Sequence, residues 1–415
     1  MKNIVIICPT ARDHREIGII SGEEGYCHNY MFYGDNPRED LAGFDPFRFI
    51  KEFKKDFKDV SIDGIIGTHD YPGSLLASIL SEQLGLNGLK VLPNLMCQHK
   101  YYSRLIQKEA VPHAVPDFSL IDASVKEPAI PSAFPVFIKP VKSFFSIFAQ
   151  KVDNLEQYIS FISSFREKGS GFSRSLNGLI EKYSDLKVSA DCLLAEDIIE
   201  GKQVTVEGYV YNKDIKFLGI SDSVMYPGTI SFKRFDFPSS VPADTGRDML
   251  KISSSVIKAI GFNNGMFNIE FFYNAKKDML KIIEINPRMA SQFADLVEKV
   301  DGTNSYKIQV DLSLGKRPLF NKGRGKYKVS SSFVLRSFED KRIKILPGKC
   351  EVENIHDLFP DARIEIYGKE GALLSEELQD MQSYRYGIIN LGGESMEDLK
   401  NKFKQCLKLL RFEFI

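Results

Sequence analysis

Apolar and polar positions alternate with a period of two across Phe267–Phe272 and again across Ile282–Asn286, the signature of half-buried strands. In MFNIEFFY, Phe267, Ile269 and Phe271 share one face, and Asn268, Glu270 and Phe272 the other. In KIIEINPR, Ile282, Glu284 and Asn286 oppose Ile283 and Ile285. A hairpin turning near Lys277 places Glu270 across from Glu284, and Asn268 across from Asn286. Opposed residues have Cβ atoms about 4.5–5.5 Å apart, and like charges there are destabilising. A divalent cation such as Mg²⁺, which takes oxygen ligands from one or two carboxylates, removes the conflict. A solvated sheet face that tolerates its charges gives the same pattern, so spacing alone leaves both readings open.

The first 95 residues read as α/β. KNIVIICP and DGIIGTHD are short apolar strands, and SLLASILSEQLGL has helical spacing and closes at Gly85. Strand, polar loop and helix in that order predict a doubly wound open sheet with the loop at the carboxyl end of the strand. Thr68, His69 and Asp70 sit where such folds often place ligand contacts, although a structural turn is the favoured reading of them. No GxGxxG is present, so dinucleotide binding is unsupported. A helix is predicted from Gln98 to Ala110, then a strand in PVFIKPVKS carrying Lys139, and an amphipathic helix over 153–168. GSGFSRSLNG reads as a loop. LLAEDIIEGKQVTVEGYV reads as two strands about a turn at Glu200–Gly201, and DIKFLGISDSV continues the sheet. MYPGTISFKRFDFPSSVP (225–242) reads as a long ordered loop, the kind that often carries function. A helix over 244–260 precedes the hairpin. NKGRGK (321–326) reads as a linker to a C-terminal unit of short strands, ending in a helix introduced by Ser395 and Asp398.

Composition narrows the function class. A chain of 415 residues holds two to four structural units. Its 55 basic and 55 acidic residues balance, which argues against a nucleic-acid or anionic-membrane surface. The apolar run near the N-terminus is too short for a signal peptide, and no stretch reaches the roughly 18 apolar residues of a membrane span. Cys8, Cys27, Cys97, Cys192, Cys350 and Cys406 form no CxxC pair, so reduced thiols and a cytoplasmic location are expected. A homodimer is the common default for soluble enzymes.

The order PVFIKP, LAEDIIEGKQVTVEG, then FNIEFF…KIIEINPR resembles the nucleotide-binding core of the ATP-grasp superfamily, in a layout similar to biotin carboxylase. The resemblance implies a front α/β unit (pre-ATP-grasp, 1–95), a two-lobed α+β core (96–320, with the nucleotide-binding lobe at about 136–200) and a small C-terminal α+β unit (327–415). It implies Lys139 and Lys100 on the nucleotide's phosphates, joined by Ser143 and Ser146 of a loop that lacks the family's glycines. Glu196, Asp197 and Ile199 match the adenine hinge. Gln203 stands near the position of the family's acidic ribose contact. Glu270, Glu284 and Asn286 match the metal ligands, for Mg²⁺ with Mn²⁺ as a substitute. Arg288 and Arg234 are placed to neutralise a moving phosphoryl group or clamp a carboxylate, with a structural salt bridge as the alternative for each. Ser291, Gln292 and Asp295 are offered to a small polar substrate, with an amphipathic helix as the alternative.

The implied activity is an ADP-forming carboxylate–amine ligase of the amino-acid or dipeptide type. Its substrates are a small-molecule carboxylate and an amine, and its cofactors ATP and Mg²⁺. Two other readings stand beside it: a non-catalytic ATP-binding sensor or scaffold, motivated by the glycine-free loop and Gln203, and a bicarbonate-using carboxylase.

Overall fold

The computed structural model describes residues 1–37, 43–143, 148–169, 173–377 and 383–415. The front unit comprises β1 (Asn3–Ile7), α1 (Ala11–Ile20), β2 (Asn29–Tyr33), α2 (Pro46–Asp56), β3 (Gly64–Ile66), α3 (Leu75–Gln83), α4 (Val91–Gln98) and α5 (Lys100–Ala110). Its strands are parallel, in the order β2-β1-β3. Ile4, Val5, Ile6 and Ile7 of β1 are wholly buried, as expected for a strand covered on both faces. Thr10 and Asp13 form a capping box at the start of α1, satisfying donors that the helix itself leaves open. Because Ile6 pairs with Ile66, the chain leaving β1 and the chain leaving β3 emerge side by side. The helix predicted from Gln98 begins at Lys100, since His99 is extended (φ −89°, ψ 94°) and separates α4 from α5.

A smaller antiparallel sheet follows. It is built from β4 (Phe118–Ile121), β5 (Val136–Pro140), β6 (Gln150–Val152) and β7 (Leu193–Glu196), in the order β4-β7-β5-β6. The helices α6 (Leu155–Lys168) and α7 (Arg174–Tyr183) accompany it. The second of these occupies part of the segment predicted as a loop: the apolar residues Leu176, Leu179 and Ile180 recur at helical spacing and are buried.

The remaining elements are β8 (Lys202–Tyr211), β9 (Asp214–Met225), β10 (Phe232–Phe237), α8 (Ala243–Ile260), β11 (Gly265–Asn274), β12 (Met279–Asn286), α9 (Ala294–Asp301), α10 (Ser305–Ser313), β13 (Val329–Ser337), β14 (Ile343–Ile345), α11 (Lys349–Leu358), β15 (Arg363–Ile366), β16 (Tyr384–Gly393), α12 (Met396–Leu409) and β17 (Glu413–Phe414). Eight of the strands form one sheet in the order β12-β11-β8-β9-β10-β13-β16-β15. Two features of this sheet depart from the pattern-based reading. The segment predicted as a loop over 225–242 contains β10, which pairs with both β9 and β13. Of the strands after the linker, β13, β16 and β15 extend the sheet that begins at the hairpin, while β14 and β17 pair separately. Met249, Val256 and Ile257 of α8 pack against Val204, Val206, Phe267 and Ile269 on one face of this sheet, leaving the other face to a cavity. All six cysteines are free. None of the described helices is long and apolar enough to cross a membrane.

Candidate active site

The hairpin of β11 and β12 pairs Asn268 with Asn286, Ile269 with Ile285 and Glu270 with Glu284, the register that alternation predicts. Beyond Glu284 the register slips, and Phe271 pairs with Ile282. Ile283 is the extra residue of a bulge, a device that re-aims side chains. Ile282, predicted on the face of Glu284, is therefore in the core with no exposed surface. The freed Ile283 carbonyl accepts a hydrogen bond from Arg104 Nη2 at 2.8 Å.

Glu270 and Glu284 face a cavity of about 750 Å³. Its floor is the large sheet, its roof the smaller sheet, and its far wall the carboxyl edge of the front unit. Burial and the neighbouring Glu284 push the Glu270 carboxyl well above its ordinary value. Against the cost of burial, Lys100 and Lys139 hold Glu284 below its own. Lys100 Nζ lies 3.2 Å from Glu284 Oε2. Gln203 Nε2 donates to Glu270 Oε2 at 2.8 Å, and Asn286 Nδ2 donates to Glu270 Oε1 at 3.3 Å. The pair is thus held together by neutral donors on one carboxylate and a cation on the other.

This donor set fits a hard divalent cation. Glu270 and Glu284 offer carboxylate oxygens, and Asn286, whose amide nitrogen is engaged, offers its amide oxygen. Among the described residues no three acidic, histidine or cysteine side chains converge, so an open coordination sphere would be completed by phosphate oxygens or water.

Above the hairpin, Arg104 is almost wholly buried. Its Nε donates to Glu196 Oε1 at 2.5 Å, and its Nη1 to Gln107 Oε1 at 2.5 Å. Lys139 Nζ lies 2.7 Å from Glu196 Oε2. Glu196, expected at the adenine hinge, thus turns its side chain into an ion-pair network, while its backbone sits between β4 and β5. Burial disfavours its charge, yet Arg104 and Lys139 together hold Glu196 down to about 2. The folded chain therefore releases this proton more readily than the unfolded chain, and the stability it contributes is whole above about pH 4.5 and is lost as pH falls toward 2. Removing one partner of such a buried network costs about 3–5 kcal/mol. Arg104→Met should lower the melting temperature at neutral pH by that equivalent, measured by calorimetry. A change of less than about 1 kcal/mol would contradict this account.

The other expected residues divide clearly. Lys139, Ser143, Asp197, Ile199, Gln203, Asn286, Arg288, Ser291 and Gln292 line the cavity with Lys100, Glu196, Glu270 and Glu284. The Asp197 amide is spent on the Asp117 carbonyl at 3.0 Å. Ser146 lies outside the described residues. Arg234 is a correction: it does not line the cavity. Along β10 its neighbour Phe235 does so, while Arg234 Nε bonds Asp236 Oδ2 at 2.9 Å. Asp295 is another correction, because it is buried in an ion pair with Lys299 at 2.6 Å and accepts from Asn390 Nδ2 at 2.6 Å.

The cavity also gathers residues that the pattern-based reading did not assign. Lys142 lines it beside Asp70, with burial pushing the ammonium down to about 8. Asp70, for which the sequence favours a structural turn, pairs with Arg288 Nη2 at 2.9 Å. Arg12, on α1, lines the far wall and grips Glu365 of β15 at 2.6 and 2.7 Å. The proximity of Lys142 to Lys139 at the end of one strand, and of Arg104 to Lys100 one helical turn on, were signals available in the sequence.

Residues 132–296, less than half of the chain, match the model of the ATP-grasp domain family. The carbamoyl phosphate synthase large chain of Thermoanaerobacter sp. (strain X514) is 22% identical over 253 residues, which are 59% of this chain and 22% of that protein. The match thus spans about a fifth of that relative's length. Among solved structures, the L-amino acid ligase of Bacillus licheniformis superposes with a TM-score of 0.74 at 16% identity, covering 100% of this chain and 99% of that one. The biotin carboxylase of Campylobacter jejuni gives 0.68 at 14% identity, covering 100% and 92%. These likenesses establish a shared fold along the whole chain.

Proposed function

We propose that this protein is an ATP-dependent ligase that activates a small-molecule carboxylate as an acyl phosphate for attack by an amine, as in amino-acid or dipeptide ligases. The carrying observation is the Glu270–Glu284 pair, held with Asn286 in one cavity alongside Lys100, Lys139, Lys142 and Arg288. Two like charges brought together at a cost, and ringed by cations, suit a bound metal–triphosphate.

In this reading Lys100, Lys139 and Lys142 hold phosphate oxygens, and Asp197 to Ile199 edge the adenine. Gln203 stands at the ribose, and Ser143 supports the phosphates. Mg²⁺, held by Glu270, Glu284 and Asn286, would supply Lewis-acid neutralisation of the phosphates. The γ-phosphoryl group passes to the carboxylate as the bond to ADP breaks. The amine then attacks the carbonyl carbon, and phosphate leaves. Arg288, fixed by Asp70, neutralises charge on the moving group, since phosphoryl transfer is mostly positioning and electrostatics. The walls exclude water from the acyl phosphate. No side-chain nucleophile is required.

The test is ADP release from Mg-ATP with pooled small carboxylates and pooled amines. Substrate-dependent ADP supports the ligase. AMP would refute an acyl phosphate, and ADP release with bicarbonate alone would favour a carboxylase. Lys139→Ala should weaken ATP binding about tenfold to a hundredfold by calorimetry, the worth of one charge-assisted hydrogen bond. Unchanged affinity would sink the phosphate role of Lys139.

A further inference from the structure

The front unit presents a second polar centre to the cavity, joined to the end of the hairpin through the Asp70–Arg288 pair. The chain leaving β1 gives Thr10, Ala11 and Arg12, and the chain leaving β3 gives Thr68, His69 and Asp70; all six line the cavity. The order β2-β1-β3 makes this the switch point of a parallel sheet, where such sheets hold ligands outside their carboxyl ends.

Two observations there point to an anion. The first turn of α1, a ten-residue helix, faces the cavity. The amides of Ala11 and Arg12 have no acceptor within the helix, and a helix N-terminus favours negative charge. The negative charge that α1 itself supplies is already spent. Asp13 Oδ1 accepts from Tyr306 Oη at 2.6 Å, and its Oδ2 accepts from the Thr10 amide and hydroxyl at 2.7 Å each, with His69 Nε2 at 3.5 Å.

Independently, Thr68 Oγ1 is buried with no hydrogen-bond partner among the described residues. Thr68 is only 1% exposed, and a hydroxyl left so costs free energy unless a ligand meets it. The surrounding charge agrees. The acidic residues of this wall are already engaged: Asp70 pairs with Arg288, and Glu365 is shared by Arg12 and Arg15 and accepts from Tyr367 Oη at 2.5 Å. Arg385 stands 4.7 Å from the centre of the Tyr367 ring. Nearby, Phe232, Phe235 and Phe293 offer an apolar seat.

We propose that the N-terminus of α1 and the Thr68 hydroxyl bind the free carboxylate of the amine-bearing substrate, so that the nucleophile is an α-amino acid rather than ammonia or a simple amine. This rests on the ligase reading above. The carboxylate to be activated needs the metal–phosphate groups of the hairpin and the smaller sheet, so an anion site built on the front unit serves the other substrate. The acceptor's amine is thereby pointed toward the acyl phosphate, and the product is a peptide with a free C-terminus.

The experiment supplies Mg-ATP and the twenty common amino acids as pooled carboxylates, with hydroxylamine present or absent. Hydroxylamine traps the acyl phosphate as a hydroxamate and carries no carboxylate, so it bypasses the proposed site. Products are counted by mass spectrometry. In Thr68→Val the ratio of peptide to hydroxamate should fall about tenfold, the order expected for losing a hydrogen bond to a charged group, and Thr68→Ser should restore it. Wild-type protein given equal amino acids and amino-acid amides as acceptors should favour the free acids by a similar factor. An unchanged ratio in Thr68→Val, equal use of the amides, or hydroxamate without peptide would overturn this site alone. No hydroxamate from the wild type would overturn the ligase reading and this site with it.

Discussion

Glu284→Ala should reduce Mg-ATP-dependent turnover by about a thousandfold, the scale seen when one preorganised electrostatic partner of a transition state is removed. Its fold should survive nearly intact. Glu284 stands across from another carboxylate, so its removal relieves repulsion while forfeiting the ion pair with Lys100. Its side chain keeps 30% of its surface exposed, so little burial is lost. The melting temperature without ligand should move by less than about 1 °C, under 1 kcal/mol for a chain of this size. Measured together, a silent melting curve and absent ADP release separate a metal ligand from a structural residue. A fall of about 3 °C or more would return Glu284 to the structural class, and undiminished turnover would remove it from the site.

The second large effect concerns Arg288. Arg288→Lys should lower kcat by about a hundredfold while leaving the KM for ATP within about threefold. Lysine preserves the charge beside Asp70, so the buried carboxylate keeps a partner and the fold is spared. What it loses is the planar fork that can hold Asp70 and a phosphoryl oxygen at once. In the structure one nitrogen of that fork, Nη2, is committed to Asp70 at 2.9 Å. If kcat survives the exchange, a point charge suffices and the fork plays no part.

The facing of Glu270 and Glu284 is legible in the sequence because strict alternation and a short turn leave a single register. The bulge at Ile283 is not, since it depends on the Arg104 guanidinium reaching its carbonyl from a helix some 180 residues away in sequence. The same limit hides β10. Its flanks, rich in proline, glycine and serine, carry the local signature of a loop, and pairing on both sides, with β9 and with β13 nearly a hundred residues on, makes it a strand. Arg234 follows from that miss, because once the segment is a strand, alternation turns Phe235 to the cavity and Arg234 away. Asp295 was ambiguous for another reason: Lys299 lies one helical turn on and claims it. Arg12 and Thr68 belong to short connections after strands, where position in the fold matters more than local pattern.

The eight-stranded sheet has a consequence for how such a chain can diversify. From β12 to β15 are seven strand spacings, roughly 34 Å before twist is counted. The carboxylate pair occupies one margin, and Glu365 with Arg385 the other. Rigidity along hydrogen-bonded strands ties these margins together mechanically, and Arg12 adds one tie, from Glu365 to Ser291 just past β12. On the function proposed above, changes at Phe232, Phe235 or Arg385, far along the sheet from the carboxylate pair, would retune which acceptor is taken while leaving its activation in place.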